Sequence, residues 1–391
     1  MNILVTYGTR PEAIKLAPVV HELRRRREQG ADFHVRLCST GQHRELLHPV
    51  AEFLGMVPDV NLDLMEPDQT LSSLTARALL GLDRVLTDPA QPRPDVVMVQ
   101  GDTTTALCGA LAAFYRRIDV AHVEAGLRTH DLHAPYPEEV NRRIISQIAT
   151  YNFAPTPEGR RHLEAQPLAR NQRVWVTGNT VIDTLLWAVE QARRLPPDTP
   201  WLTRLADWQT RHPDGAIILV TGHRREHFGR MFESFCRGLA RLARAHPEVL
   251  IVYPLHLNPN VQAPARRILG ALENVHLEDP RDYLAFVALM DRCRFVITDS
   301  GGIQEEAPSL GKPVLVTREV TERPEAVEAG TVRVIGSDED VVFAEAHRLL
   351  TDPAAYAAMA TAVNPYGDGQ ASRRIVDILE GKSPGEFHPR G

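Results

Sequence analysis

Short apolar runs rich in β-branched residues recur along almost the whole chain, separated by longer amphipathic stretches. NILVTY, DVVMVQ, AIILVT and RFVIT are apolar nearly throughout instead of alternating with polar residues, so both faces of these strands must be buried. A parallel sheet covered by helices on each side buries both faces. The pattern predicts strands near 2–7, 32–39, 94–100, 118–123, 150–154 and 173–177, and again near 215–221, 249–254, 274–277, 293–298, 312–317 and 331–335. Six and six, with no repeat visible in the residues themselves, predict an α/β chain of two Rossmann-like, doubly wound domains.

With 391 residues, the chain has room for two domains at about 100–200 residues each. The junction is expected near Gly178, where a helix from Val181 to Arg194 precedes LPPDTP, a segment that cannot continue a helix. The expected domains are 1–178 and 179–365, with a last helix within 366–391 packing back on the first and the tail SPGEFHPRG frayed. Open parallel sheets bind ligands beyond the carboxyl ends of their strands. Residues that follow strands are therefore the informative ones, and two such domains facing each other would put both sets into one central cleft.

Lys and Arg number 44 against 50 Asp and Glu, a formal net charge of −6. Nucleic acid and membrane surfaces want a basic face, so neither is expected as a partner, whereas a small anion needs only a local cluster of cations. Cys38, Cys108, Cys236 and Cys293 are far apart with no CxxC pair, which argues against a disulfide framework or a zinc site and for a reducing cytoplasm. MNILVTYGTRPE has no basic leader before an apolar stretch and does not read as a signal peptide. No apolar run approaches the ~18 residues of a membrane span. A soluble cytoplasmic protein is expected.

Five segments carry chemistry. In GTRPEAIKLAPVV a glycine turn is followed by Arg10, by Pro11 at a helix start and by Lys15 one turn on. Two cations stand there beside free helix N–H groups, which favours an anion; solvated charges on an ordinary turn explain the segment equally well. In QGDTTTALCG, Asp102 taken alone reads as a helix N-cap. VAHVEAGLRTHDLHAPYPEEVNRR changes that weighting, because Glu124 closes an apolar strand beside Gly126, and Glu138 and Glu139 open a helix after a proline-rich loop. Packing explains an acid on an apolar strand poorly. Asp102 and Glu124 follow strands expected to be neighbours, so their carboxylates can converge and tune each other for acid/base work, with Glu138 as the third candidate. Glu139 reads equally well as a partner of the helix dipole. His122, His130 and His133 lack the spacing of a helical ligand pair, and no metal is expected.

In AIILVTGHRREHFGR a strand delivers His223 after Gly222, with Arg224 and Arg225 behind it, in a position that would face a diphosphate. The most specific segment is CRFVITDSGGIQEEAPSLGKPVLV, with TERPEA after it. Ser300, Gly301 and Gly302 between a strand and a helix make a phosphate cradle, because glycines let backbone N–H groups approach oxygen closely. Glu306, one turn into that helix, can accept from ribose hydroxyls, and Arg323 adds a cation. A capped helix would explain Ser300 but neither the two glycines nor Arg323.

Taken in order, GTRPEAIKLAP, GDTTT, HVEAGLRT, PEEVNRR, TGNTVIDTL, TGHRRE, YPLHLNP, TDSGGIQEEAPSLGKPVLV, TERPEA and NPYGDG closely resemble the non-hydrolysing bacterial UDP-N-acetylglucosamine 2-epimerases, from residue 3 to about residue 372. The resemblance implies a glycosyltransferase-B-like pair of domains, a homodimer, and interconversion of UDP-GlcNAc with UDP-ManNAc. It implies Arg10, Lys15, Asp102, Glu124, Glu138 and His223 around the sugar and diphosphate. It implies Phe286, Ser300, Gly301, Gly302, Glu306 and Arg323 around the uridine and phosphates. The position of Arg281, in DPRDYLAF, often carries Gln in this family, a change of little weight if the contact there is through backbone. The loop Gln42-His43-Arg44 matches a segment associated with activation by substrate at a neighbouring site.

The chemistry can be argued without the name. The C2 proton of an acetamido sugar is not acidic, and the chain has no dinucleotide fingerprint that would allow oxidation to a ketone and return. Elimination is then the expected route, with no cofactor. A carboxylate takes the C2 proton as the C1–O bond to UDP breaks, and anti-elimination gives 2-acetamidoglucal and UDP; readdition with the proton on the other face gives the epimer. Cations stabilise the departing diphosphate, and domain closure keeps water from the glycal. Two rivals stay open at this point. A nucleotide-sugar-dependent glycosyltransferase would need an acceptor and would leave three carboxylates without a role; Asp338-Glu339-Asp340 superficially offers it a DxD but reads as a helix cap. A non-catalytic UDP-sugar sensor would need the cradle and no acids.

Overall fold

A computed structural model describes residues 1–41, 44–66, 69–196, 198–222 and 229–389. The chain divides into two units, Met1–Thr184 with Tyr366–His388, and Leu185–Pro365. The division falls inside the helix Thr180–Arg193, downstream of the expected junction at Gly178.

The first unit is built on seven strands: β1 Asn2–Tyr7, β2 His34–Ser39, β3 Val60–Asn61, β4 Val96–Gln100, β5 Asp119–Val123, β6 Tyr151–Ala154 and β7 Arg173–Val176. All pair in parallel, in the order β3-β2-β1-β4-β5-β6-β7. The second unit has six, β8 Ile217–Thr221, β9 Leu250–Pro254, β10 Val275–Glu278, β11 Phe295–Thr298, β12 Val314–Val316 and β13 Val332–Val334, in the order β10-β9-β8-β11-β12-β13. Each is a doubly wound parallel sheet. The sequence pattern predicts all of these strands except β3, an edge strand of two residues whose partner is the end of β2.

The apolar runs are buried on both faces as their composition requires. In the first unit Leu4, Val97, Val99 and Val120 pack with Ala106 and Ile145 from flanking helices. In the second, Val220, Ile251, Phe295 and Ile297 pack with Leu239 and Val342. In each sheet the strand order reverses beside its first strand, between β1 and β4 and between β8 and β11. Doubly wound sheets bind ligands at such a switch point, beyond the carboxyl ends of the strands.

The helix Ala371–Leu379 packs on the first unit through Arg26, whose guanidinium lies 2.7 Å from Asp377 and 2.6 Å from Glu380. The expected fraying does not hold for the described part of the tail: Phe387 is 4 % exposed and donates its N–H to Val176 O at 2.8 Å, and Glu386 pairs with Arg160. Among the described residues no helix is long and apolar enough to cross a membrane.

Candidate active site

The turn after β1 is shaped by crowding. A Cβ on Gly8 would lie 2.2 Å from Thr40 Oγ1 and 2.3 Å from Thr105 Oγ1, so only glycine lets the backbone pass. Thr9 then caps the helix Arg10–Glu28 in a capping box completed by Glu12, with Pro11 in the first turn. Arg10 is the first helical residue. Lys15, further along the helix, places its Nζ 2.6 Å from both carboxylate oxygens of Glu124.

Glu124 follows β5 directly and is 7 % exposed. Its φ of 63° is left-handed, a conformation that costs a residue other than glycine about 1–3 kcal/mol. Besides the Lys15 ammonium, the Nε2 amide of Gln100 at the end of β4 donates to it. These two groups compensate a buried carboxylate that the strand alone could not hold.

β4 and β5 run in register with Gln100 opposite Val123, so Asp102 and Glu124 follow neighbouring strands. Asp102 is not the cap of the next helix. Thr103 takes that position, its Oγ1 accepting from Ala106 N at 3.0 Å. The Asp102 carboxylate instead meets Arg142 Nη2 at 2.6 Å, and its carbonyl accepts from Asn141 Nδ2 at 2.8 Å. Both partners lie on the helix Glu138–Ile148, so its first residue, Glu138, stands about one helical turn from the groups that hold Asp102. Glu139 is fully buried and accepts from Thr129 N at 3.0 Å and Arg143 Nε at 2.8 Å. Burial disfavours its charge, but the Thr129 N–H and the guanidiniums of Arg143 and Arg142 hold its carboxyl below the usual value. It anchors the loop before the helix, a role beyond the dipole.

His122 is a strand residue with no solvent exposure, and burial, assisted by the Arg128 and Arg142 charges, pushes it down to about 4. The neutral ring donates from Nε2 to Gly101 O at 2.7 Å. Among the described residues no group of three or more His, Cys, Asp or Glu side chains is arranged to hold a metal ion.

In the second unit, Thr221 and Thr298 stand opposite each other at the ends of β8 and β11, their hydroxyls 2.6 Å apart. Ser300 begins the helix Gly301–Glu306 without a side-chain cap bond, so the helix does not use its hydroxyl. A Cβ on Gly301 would come no closer than 3.9 Å to the Arg323 guanidinium, and one on Gly302 no closer than 3.7 Å to Glu306. Ser300, Glu306 and Arg323 thus stand around the two glycines at one strand end, each in no more than ordinary contact with a Cβ placed there. Arg323 donates through Nε to Glu305, an acid the sequence reading passed over, which is 2 % exposed.

Arg281 donates to Glu278 at 2.8 and 2.6 Å. Phe286 is half-buried on the helix Tyr283–Arg292, which Asp282 caps. Asp338 caps the helix Glu339–Thr351, while Glu339 and Asp340 pair with Arg237 and Arg241, so the apparent DxD is a cap with two surface ion pairs. His223, Gln42 and His43 lie outside the described residues; Arg44 begins the helix Arg44–Phe53. Of the site residues missed in the sequence, Gln100 had one signal, a polar side chain closing the apolar run VVMVQ. Arg142 had another, its place one turn after Glu138.

Residues 25–380 match the family model of UDP-N-acetylglucosamine 2-epimerase. The chain is 52% identical over 380 residues to the UDP-N-acetylglucosamine 2-epimerase of Escherichia coli O157:H7, covering 97% of this chain and 98% of the other. Among solved structures it is similar to the UDP-GlcNAc 2-epimerase of Neisseria meningitidis bound to UDP-GlcNAc, with 43% identity, a TM-score of 0.81, and 98% of this chain and 100% of that one covered. It is also similar to the Methanocaldococcus jannaschii UDP-GlcNAc 2-epimerase in complex with UDP-GlcNAc and UDP, with 30% identity, a TM-score of 0.75, and 97% and 100% covered. Identity at this level over nearly the whole length, on the same pair of doubly wound sheets, leads to one assignment: the chain belongs to the UDP-N-acetylglucosamine 2-epimerase family.

Proposed function

We propose that this chain interconverts UDP-GlcNAc and UDP-ManNAc by eliminating UDP and adding it back. The observation that carries the reading is the gathering of Asp102 and Glu124 at the ends of neighbouring strands, with the helix start that bears Glu138 tied to Asp102 through Arg142 and Asn141. A binding module has no use for three acids there, and a transferase loses its apparent DxD to a helix cap.

The residues proposed to act on the sugar belong to the first unit, and those proposed to hold the nucleotide belong to the second. One carboxylate among Asp102, Glu124 and Glu138 takes the C2 proton as the C1–O bond breaks, and the electron pair of the C2–H bond becomes the glycal double bond. The departing oxygen leaves on UDP, whose growing charge Arg10, Lys15 and His223 stabilise. Readdition reverses each step with a proton delivered to the opposite face, so a second acid supplies it. Ser300, Gly301, Gly302 and Arg323 hold phosphate oxygens, Glu306 accepts from ribose hydroxyls, and Phe286 with the backbone at Arg281 holds the uracil.

We further infer a cytoplasmic homodimer. The four cysteines are free and buried, which fits a reducing compartment. The helices Leu71–Leu86, Thr104–Tyr115 and Glu138–Ile148 expose Leu71, Leu80, Phe114, Tyr115 and Ile144, apolar side chains that a second copy would cover. Sedimentation at the mass of a single chain would count against the dimer.

The reaction is tested by incubating UDP-GlcNAc with the protein in D₂O. Deuterium is expected at C2 of UDP-ManNAc and, on longer incubation, of recovered UDP-GlcNAc. Epimer without deuterium would exclude elimination, free ManNAc as the main product would indicate hydrolysis, and unchanged, unlabelled substrate would overturn the function.

A further inference from the structure

Glu12 completes a capping box but has no part in the reaction proposed above, and its carboxylate is fully buried. Oε2 accepts from Gly8 N at 3.0 Å, Thr9 N at 2.8 Å and Thr9 Oγ1 at 2.8 Å; Oε1 accepts from Thr103 Oγ1 at 2.7 Å. The Thr103 hydroxyl accepts from Ala106 N and directs its one proton at Glu12. These donors come from two different turns. Gly8 and Thr9 follow β1 and deliver Arg10; Thr103 follows β4 and comes directly after Asp102. β1 and β4 are the neighbouring strands at the switch point of the sheet.

A capping box requires only the bonds within its own helix. The bond from Thr103 belongs to another strand and another helix, so helix formation does not explain it. We propose that Glu12 is a positioning residue for epimerisation: its carboxylate ties the turn that delivers Arg10 to the turn that delivers Asp102, and so fixes the cation and the acid relative to each other. The proposal rests on the function assigned above, in which Arg10 faces the diphosphate and Asp102 belongs to the proton-transfer set. It makes Thr103 the second half of the same device.

The test compares the full-length parent chain with Glu12→Gln, Thr103→Val and Thr103→Ser. Four readings are taken at about pH 8.5, where Glu12, pushed up by burial to about 7, is ionised: kcat and KM for UDP-GlcNAc, the isotope effect on kcat with substrate deuterated at C2, UDP affinity by calorimetry, and the melting temperature. Glu12→Gln and Thr103→Val are expected to lower kcat by about 10²-fold, the scale of a misplaced reacting group, with UDP affinity held within about twofold. The isotope effect should be at least as large as the parent's, because proton transfer is the step that slows. Thr103→Ser keeps the hydroxyl and should stay near the parent. Thr103 also caps its own helix by accepting from Ala106 N, so Thr103→Asp, which keeps that cap but cannot donate to Glu12, is read beside Thr103→Val and should lose kcat in the same way; if Glu12→Gln fails to fold, these variants decide. Folded variants with parental kcat would overturn the proposal, and so would a loss of kcat matched by an equal loss of UDP-binding sites in calorimetry, which marks fewer active molecules. A parent chain that does not epimerise would overturn the assigned function instead.

Discussion

Two buried groups of the first unit, Glu12 and His122, titrate in opposite senses. Burial pushes Glu12 from 4.5 up to about 7, against the pull of Thr103, Thr9 and the Gly8 and Thr9 N–H groups, and burial pushes His122 from 6.5 down to about 4. Between 4.5 and about 7 the native protein keeps a proton on Glu12 that the unfolded chain has released, so this contribution to stability is lost as pH rises. Between about 4 and 6.5 the unfolded chain holds a proton on His122 that the native protein lacks, so this contribution is lost as pH falls. Each shift is worth about 3 kcal/mol at full extent, and over the shared window they oppose. His122→Gln keeps a donor for Gly101 O but removes the titration, so its melting temperature should fall more steeply, or rise less, than the parent's from pH 4.5 to 6.5. A variant profile parallel to the parent's, read by calorimetry, would contradict this. The same residues mark what the sequence could reveal. Asp102 and Glu124 were legible as a pair because strand neighbours follow from the βα pattern. The bonds that hold them were not, because Arg142 lies 40 residues from Asp102, Gln100 lies 24 from Glu124, and Thr103 lies 91 from Glu12. No local pattern encodes a hydrogen bond across that span.

At the scale of elements, uniform apolar runs located the long central strands because two buried faces leave no polar alternation. β3 escaped since Val60 and Asn61 extend the sheet by two half-exposed or exposed residues, too few for any periodicity. The tail escaped for another reason: SPGEFHPRG carries one large apolar side chain among prolines and charges, and composition reads that as a loose end. Phe387 is nevertheless buried, with its N–H on Val176 at the end of β7 and the Arg374 guanidinium 5.8 Å from its ring. Phe387→Ala should therefore destabilise the first unit by about 3 kcal/mol, the usual cost of emptying a buried phenylalanine site. Urea unfolding would show this as a lower midpoint; a midpoint equal to the parent's would mean that the tail adds nothing to the unit it lies on.

At the scale of the whole molecule, a net charge of −6 is compatible with the diphosphate site proposed above, because a few cations placed one by one at strand ends suffice for it. The two units supply different kinds of group. The first gathers acids and the cations that neutralise them; the second offers glycine backbone and a guanidinium held by Glu305. If that division is the design of the enzyme, substitutions in the two units should fail differently. Glu124→Gln keeps the shape of the side chain but cannot take a proton, so turnover should fall by ~10²–10⁴-fold while UDP affinity stays near the parent's. Gly302→Ala adds a methyl that meets no protein atom closer than 3.7 Å, so the fold should hold. In the proposed cradle the methyl would occupy the approach of a phosphate oxygen, and loss of one charge-assisted backbone bond should weaken UDP by roughly 10–100-fold. Since the two positions lie in different units, the double variant should show the sum of the two free-energy losses. Calorimetry with UDP and initial rates with UDP-GlcNAc read both quantities. Parental UDP affinity in Gly302→Ala would remove the cradle from the second unit, and a Glu124→Gln variant that lost UDP along with turnover would make that acid a binding group instead of a proton carrier.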